Sequence, residues 1–147
     1  MPTVLIIEDS KFLRMANERI LAKAGYRVLG ASDGEEGLRL AQEASPDLVL
    51  LDMMLPKLSG LEVLQSLKRS PATGSIPVVV LTSLSQKNEG KLRQVGAVGF
   101  LEKSALLDRP QPLLDMAALA LQGSQSGLTG AVPASGGLAA SLAGARP

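Results

Sequence analysis

The feature that most constrains this chain is an alternation of pattern. Five short aliphatic runs, at residues 4–7, 28–30, 48–51, 78–81 and 98–101, are separated by longer stretches with helix-like spacing. The runs lack the apolar–polar alternation of a sheet with one wet face, so they read as strands buried on both faces. The stretches between and after them read as helices over 11–24, 35–44, 60–69, 86–95 and 110–122. In the first, Phe12, Leu13, Met15, Ala16, Ile20 and Leu21 fall near a 3.6-residue period, and Gly25 suits its stop. The second ends before Pro46, as a helix should. The last begins with prolines, which a first turn tolerates, and stops at Gly123. Five strand–helix units in series predict an α/β fold: a doubly wound, five-stranded parallel sheet covered on both faces through right-handed crossovers. Ligands of such sheets sit beyond the carboxyl ends of the strands, where the strand order reverses.

The character of the chain changes after residue 122. Residues 123–147 are mainly Gly, Ala, Ser and Pro with scattered Leu, and Arg146 is their only charge. The organisation expected is one folded domain over 1–122 and a flexible tail over 123–147. The tail is too short and too nearly uncharged to be a DNA-binding output domain. The whole chain carries 15 Lys and Arg against 14 Asp and Glu, which gives no long-range attraction to nucleic acid or to an anionic membrane. No apolar run approaches the roughly 20 residues that span a bilayer, and the first strand-like run begins too early to leave room for a signal peptide. A cytoplasmic location is the expectation. The absence of Cys excludes disulfides and thiolate chemistry, and without His the usual zinc and haem sites are disfavoured. A metal here should be a hard cation on oxygen ligands.

The acids supply such ligands. Glu8 and Asp9 follow the first run directly, and Asp52 closes the third. In a doubly wound sheet the first and third strands can be neighbours at the switch point, so three carboxylates would meet in one cleft. Uncompensated, they repel by several kcal/mol at an effective dielectric near 20. Mg²⁺ removes that repulsion and keeps water and phosphate oxygens as its other ligands. Thr82, with Ser83 beside it, ends the fourth run, and Lys103 follows the fifth. Acids, a hydroxyl and an ammonium at strand ends form a phosphoryl-binding set in which a carboxylate can itself be the nucleophile, giving an aspartyl-phosphate. Glu35, Glu36, Lys87, Lys91 and Arg93 read most simply as solvated helix faces.

With these residues in order, residues 2–122 closely resemble the receiver domain of two-component response regulators, in particular the stand-alone, chemotaxis-type members. The resemblance rests on Glu8-Asp9, Asp52 closing a buried strand, "MMLPKLSG" after it, Thr82-Ser83, and Lys103. It implies a flavodoxin-like (βα)5 sheet of strand order 2-1-3-4-5. It implies that Asp52 accepts a phosphoryl group from a sensor histidine kinase or phosphotransfer protein. Glu8, Asp9 and Asp52 would hold Mg²⁺ together with the backbone carbonyl of Met54. Thr82 and Lys103 would contact the phosphoryl group, and Phe100 stands at the family's switch aromatic. Pro56 and Gly60 match the loop beyond the acceptor. Output would be contact with a downstream protein through the face built from the fourth helix, fifth strand and fifth helix.

The sequence departs from the family at Ser104, where proline usually follows the lysine. A cis peptide before Ser costs about 2.5–4 kcal/mol against about 0.5–1 before Pro, so a trans bond is expected. The segment before the last helix is also longer than usual. The positions two beyond the acceptor and two beyond the threonine, which in this family tune hydrolytic water, hold apolar Met54 and Leu84. Three other readings compete. A phosphate-independent module on the same fold would be favoured by loss of Asp52, the acidic pair or Lys103, all of which are present. A turnover phosphatase lacks its common Asp-x-Asp, since Met54 stands two after Asp52. A flavin carrier lacks aromatic walls, with no Trp, one Tyr and two Phe in the chain.

Overall fold

The computed structural model describes residues 1–82, 89–103 and 110–126. In chain order the elements are β1 (Thr3–Ile7), α1 (Lys11–Lys23), β2 (Arg27–Ala31), α2 (Gly34–Ala44), β3 (Leu48–Asp52), α3 (Gly60–Arg69), β4 (Val78–Thr82), α4 (Glu89–Val95), β5 (Ala97–Glu102) and α5 (Gln111–Ser126). The five strands form one sheet in the order β2-β1-β3-β4-β5, all parallel, as expected. Successive side chains of a strand point to opposite faces, and the core divides accordingly. Leu5, Ile7, Val49, Leu51, Val78 and Val80 meet Ala41 of α2, Val63, Leu64 and Leu67 of α3 and Leu92 of α4. Val4, Ile6, Leu48, Leu50, Val79 and Leu81 meet Leu21 of α1 and Leu113, Ala117, Ala120 and Leu121 of α5. Among the described residues, no helix is long and apolar enough to cross a membrane.

Burial on both faces holds for β3 and β4, every residue of which is buried, and for all of β1 except its first residue. It does not hold at the two edges. β5 alternates, with Val98 48% exposed, and β2 is buried only at Ala31. An edge strand has a neighbour on one side only, so the helices cover it incompletely. The β4–β5 register also shifts between Val78 and Val79, which displaces Val98 from the inward pattern.

The helix ends follow local chemistry. Ser10 caps α1 by accepting the Leu13 N–H, and Gly25 after it takes a positive φ of 99°. Asp33 caps α2, and Ser59 with Glu62 forms a capping box at α3. Two expectations need adjustment. The apolar stripe of α1 is narrower than its composition suggests: Asn17 and Leu21, one turn apart, are buried, whereas Phe12 is 71% exposed and Met15 also faces solvent. The last helix continues through Gly123 to Ser126, because glycine in a helix costs only about 1 kcal/mol relative to alanine and weakens the helix without ending it. The rest of the tail, from residue 127, lies outside the described residues, as do residues 86–88 of the fourth predicted helix.

Candidate functional site

Strand register brings the site together. Ile7 pairs with Leu51, so Glu8 and Asp52 each lie one step beyond the same rung. Asp52 in turn pairs with Leu81, and Thr82 with Glu102, which places Thr82 and Lys103 just beyond neighbouring rungs. Four strands thus deliver their polar ends to one edge of the sheet, at the reversal between β1 and β3. Glu8 is 0% exposed and Asp52 is 1% exposed; Thr82 is buried, and Asp9 faces solvent.

Side-chain oxygens of Glu8, Asp9 and Asp52 lie within 4.8 Å of one another. Lys103 Nζ sits between two of these acids, 3.0 Å from Glu8 Oε1 and 3.0 Å from Asp52 Oδ2. Its contact with Asp52 is a hydrogen bond. Its contact with Glu8 is an ion pair, and among the described residues Glu8 Oε1 is a buried oxygen with no hydrogen-bond partner. The remaining acceptors are tied to backbone. The Ser10 N–H donates to Glu8 Oε2 at 3.0 Å, and the Met54 N–H donates to Asp52 Oδ1 at 3.1 Å.

The electrostatics follow from burial and charge. Burial pushes the Glu8 carboxyl above its ordinary value; the Ser10 N–H and Lys103 oppose this, and Asp52 adds to it. Burial by itself would lower the Lys103 ammonium, but the hydrogen bond to Asp52 and the charges of both close carboxylates, Glu8 and Asp52, outweigh it and leave the ammonium above its ordinary value. One ammonium cannot neutralise three carboxylates. The unpartnered buried oxygen of Glu8, an all-oxygen donor set and this residual negative charge fit a small hard cation such as Mg²⁺.

The sequence-predicted residues therefore fall into groups. Glu8, Asp9, Asp52 and Lys103 converge. Thr82 lies at the adjoining strand end. Met54 touches Asp52 through its amide, a contact not anticipated. Phe100 stands apart, partly buried against the cluster shared with α3 and α4, and the Arg93 guanidinium lies 4.8 Å from its ring centroid. Arg93 is thus not a purely solvated charge but makes a cation–π contact. Ser83, Leu84 and Ser104 lie outside the described residues, and with Ser104 the peptide bond after Lys103.

Sequence reasoning also missed Arg14. On α1, it donates from Nη1 to the backbone carbonyl of Glu8 at 2.8 Å. A signal existed: α1 has no acidic residue in its first turn and carries Lys11 and Arg14 near its N-terminus. Cations are disfavoured at that positive end of the helix dipole, so one found there calls for a local acceptor.

Known proteins resemble this chain in sequence and in fold. The chain is 34% identical over 108 residues to the polar-differentiation response regulator DivK of Brucella anthropi, covering 73% of this chain and 88% of that protein. It is 43% identical over 83 residues to the transcriptional regulatory protein AfsQ1 of Streptomyces coelicolor, covering 56% of this chain and 36% of that one. The chain thus spans about a third of the length of that regulator. Among solved structures, the chemotaxis protein CheY4 of Vibrio cholerae superposes with a TM-score of 0.67 at 30% identity, over 76% of this chain and 98% of that one. A CheY-like receiver domain protein from Methanospirillum hungatei superposes with a TM-score of 0.77 at 22% identity, over 85% and 97%, and supports the fold alone. The family model of the response regulator receiver domain matches residues 4–114. With most of its length matched and an acidic cleft at the expected strand ends, the chain belongs to the response regulator receiver domain family of two-component systems.

Proposed function

We propose that this chain is a phosphorylation-dependent signalling module that takes a phosphoryl group onto Asp52. The donor is a histidine kinase or phosphotransfer protein of the cytoplasm. The output is contact with a downstream protein, and no external substrate is turned over. The observation that carries the proposal is the position of Lys103 Nζ, 3.0 Å from Asp52 Oδ2, inside a cluster of three carboxylates at the sheet's reversal point.

In this reading a carboxylate oxygen of Asp52 forms the new O–P bond as the P–N bond of a phosphoimidazole breaks, and the imidazole leaves with the electron pair. Glu8, Asp9, Asp52 and the carbonyl of Met54 would hold Mg²⁺, which when bound offsets the charge of the acids and of the transferring phosphoryl oxygens. Lys103 supplies a point positive charge for those oxygens. Thr82 offers a hydroxyl donor to the phosphoryl group. Phe100 responds as Thr82 is drawn inward, and the conformers that expose the α4–β5–α5 face become more populated.

Incubation of the chain with acetyl phosphate and Mg²⁺ tests this. Intact mass should show one added phosphoryl group in the wild type and none in Asp52→Asn. Absence of the adduct in the wild type would favour a phosphate-independent binding module. The lifetime of the adduct is a second expectation. Met54 and Leu84 are apolar and cannot orient a water, so loss of phosphate should take minutes or longer. A polar residue such as Asn at position 54 should shorten it; loss within seconds in the wild type would contradict this reading.

A further inference from the structure

We propose that Arg14 is a positioning residue that raises the affinity of the acidic site for a divalent cation by fixing the peptide between Glu8 and Asp9. The proposal rests on the Mg²⁺ reading above and adds a residue that makes no contact with the metal.

The Glu8 carbonyl belongs to the planar unit that joins the two acids. Its orientation sets the backbone torsions on either side and therefore the directions in which both carboxylates project. The Glu8 N–H is fixed by Ala31 O of β2 at 3.0 Å. Arg14 Nη1, donating at 2.8 Å, fixes the carbonyl from α1. The acidic turn is thus held from a strand on one side and a helix on the other, against the mutual repulsion of its carboxylates. The donor is a guanidinium, whose rigid planar fork loses little freedom on making such a bond.

The packing around Arg14 fits this role. The β2 residue beside its stem is Gly30. A Cβ at Gly30 would run into Glu18 Oε2 and lie 3.2 Å from Arg14 Cδ. α1 therefore approaches β2 closely where Arg14 turns toward the carbonyl, and its half-buried stem has little room to take another course.

The sign of the effect separates positioning from charge. Removing one positive charge close to the acids should tighten cation binding about twofold at physiological salt. Loss of a residue that orients a metal's ligands typically weakens binding by about 10–100-fold. Positioning therefore wins if Arg14 acts as proposed, and binding weakens.

The test is a titration of the full chain with MgCl₂, without a phosphoryl donor, followed by the amide resonances of Glu8 and Asp52. Arg14→Met should raise the dissociation constant about tenfold. Arg14→Lys, which keeps stem and charge but not the fork, should raise it about threefold and also serves if Arg14→Met does not fold. Amide spectra of the metal-free variants should match the wild type away from the β1–α1 turn. Wild-type or tighter Mg²⁺ affinity in Arg14→Met, or in Arg14→Lys if that alone folds, overturns the role of Arg14. A wild-type chain that does not respond to Mg²⁺ overturns the metal reading itself and the proposal with it.

Discussion

Lys103→Met should destabilise the metal-free protein by about 3 kcal/mol at neutral pH, the low end of the range for removing one partner of a buried ion pair. For a domain of this size that lowers the unfolding midpoint by about 10 °C. The low end applies because Lys103 itself reaches solvent, with its side chain 15% exposed, while Glu8 and Asp52 do not. Without the ammonium, two buried carboxylates face each other and Glu8 Oε1 loses the cation 3.0 Å from it.

The pH dependence has a definite sign. The folded-state value of Glu8 already lies above its ordinary 4.5, so the folded chain holds this proton more tightly than the unfolded chain does. That contribution is fully present below about 4.5 and is lost as pH rises through the folded value. Removing Lys103, which opposes the rise, should widen this window and concentrate the deficit above it. The Lys103 ammonium is itself raised by its two acids, so its own contribution is present below its ordinary 10.5 for as long as those acids stay ionised, and disappears as pH rises through the higher folded value. Thermal unfolding of both proteins across pH, with and without Mg²⁺, measures this. The expected result is a deficit that is small in acid, full at neutral pH and largely recovered by Mg²⁺. A deficit independent of pH would show that Lys103 acts through packing alone.

Gly60→Ala should be destabilising by about 2 kcal/mol or more, although alanine is the better helix former by about 1 kcal/mol. A Cβ at Gly60 would lie 2.5 Å from the Asp52 carbonyl oxygen and 2.5 Å from Met53 Cα. Both are backbone atoms, which cannot swing aside as a flexible side chain would. Relief requires moving the end of β3, and with it Asp52 and the Met54 amide that donates to Asp52 Oδ1. Gly90→Ala in α4 is the matched control: nothing lies within 4 Å of its Cβ, so it should be neutral or stabilising by up to about 1 kcal/mol. Urea unfolding of the two variants beside the wild type decides this. Equal stability of Gly60→Ala and Gly90→Ala would contradict the close approach.

The parts of this fold that were legible in the sequence are those dictated by burial. β3 and β4 are continuous aliphatic runs because helices cover both their faces, and the acids, Thr82 and Lys103 mark the points where those runs reach the sheet's edge. The edges were less legible. Val98 belongs to an apolar run yet lies half open, because a run records residue type and not the number of neighbours. Phe12 and Met15 share the apolar period of α1 yet face solvent for the same reason, while Asn17, polar by type, occupies the buried face. Within the site, convergence of the carboxylates was readable from strand order. The contacts of Lys103 with two acids, of Arg14 with the Glu8 carbonyl and of Arg93 with Phe100 were not, since each depends on where a long, flexible side chain comes to rest.

The most direct measurement is the chemical location of the phosphoryl group. After treatment with acetyl phosphate and Mg²⁺, borohydride reduction converts an acyl phosphate to the corresponding alcohol, so a phosphorylated aspartate becomes homoserine. Peptide mapping by tandem mass spectrometry should place homoserine at position 52 and leave Glu8 and Asp9 unreduced. Reduction at Glu8 or Asp9 instead, or no reduction in a folded protein that binds Mg²⁺, would contradict the assignment of Asp52 as phosphoacceptor.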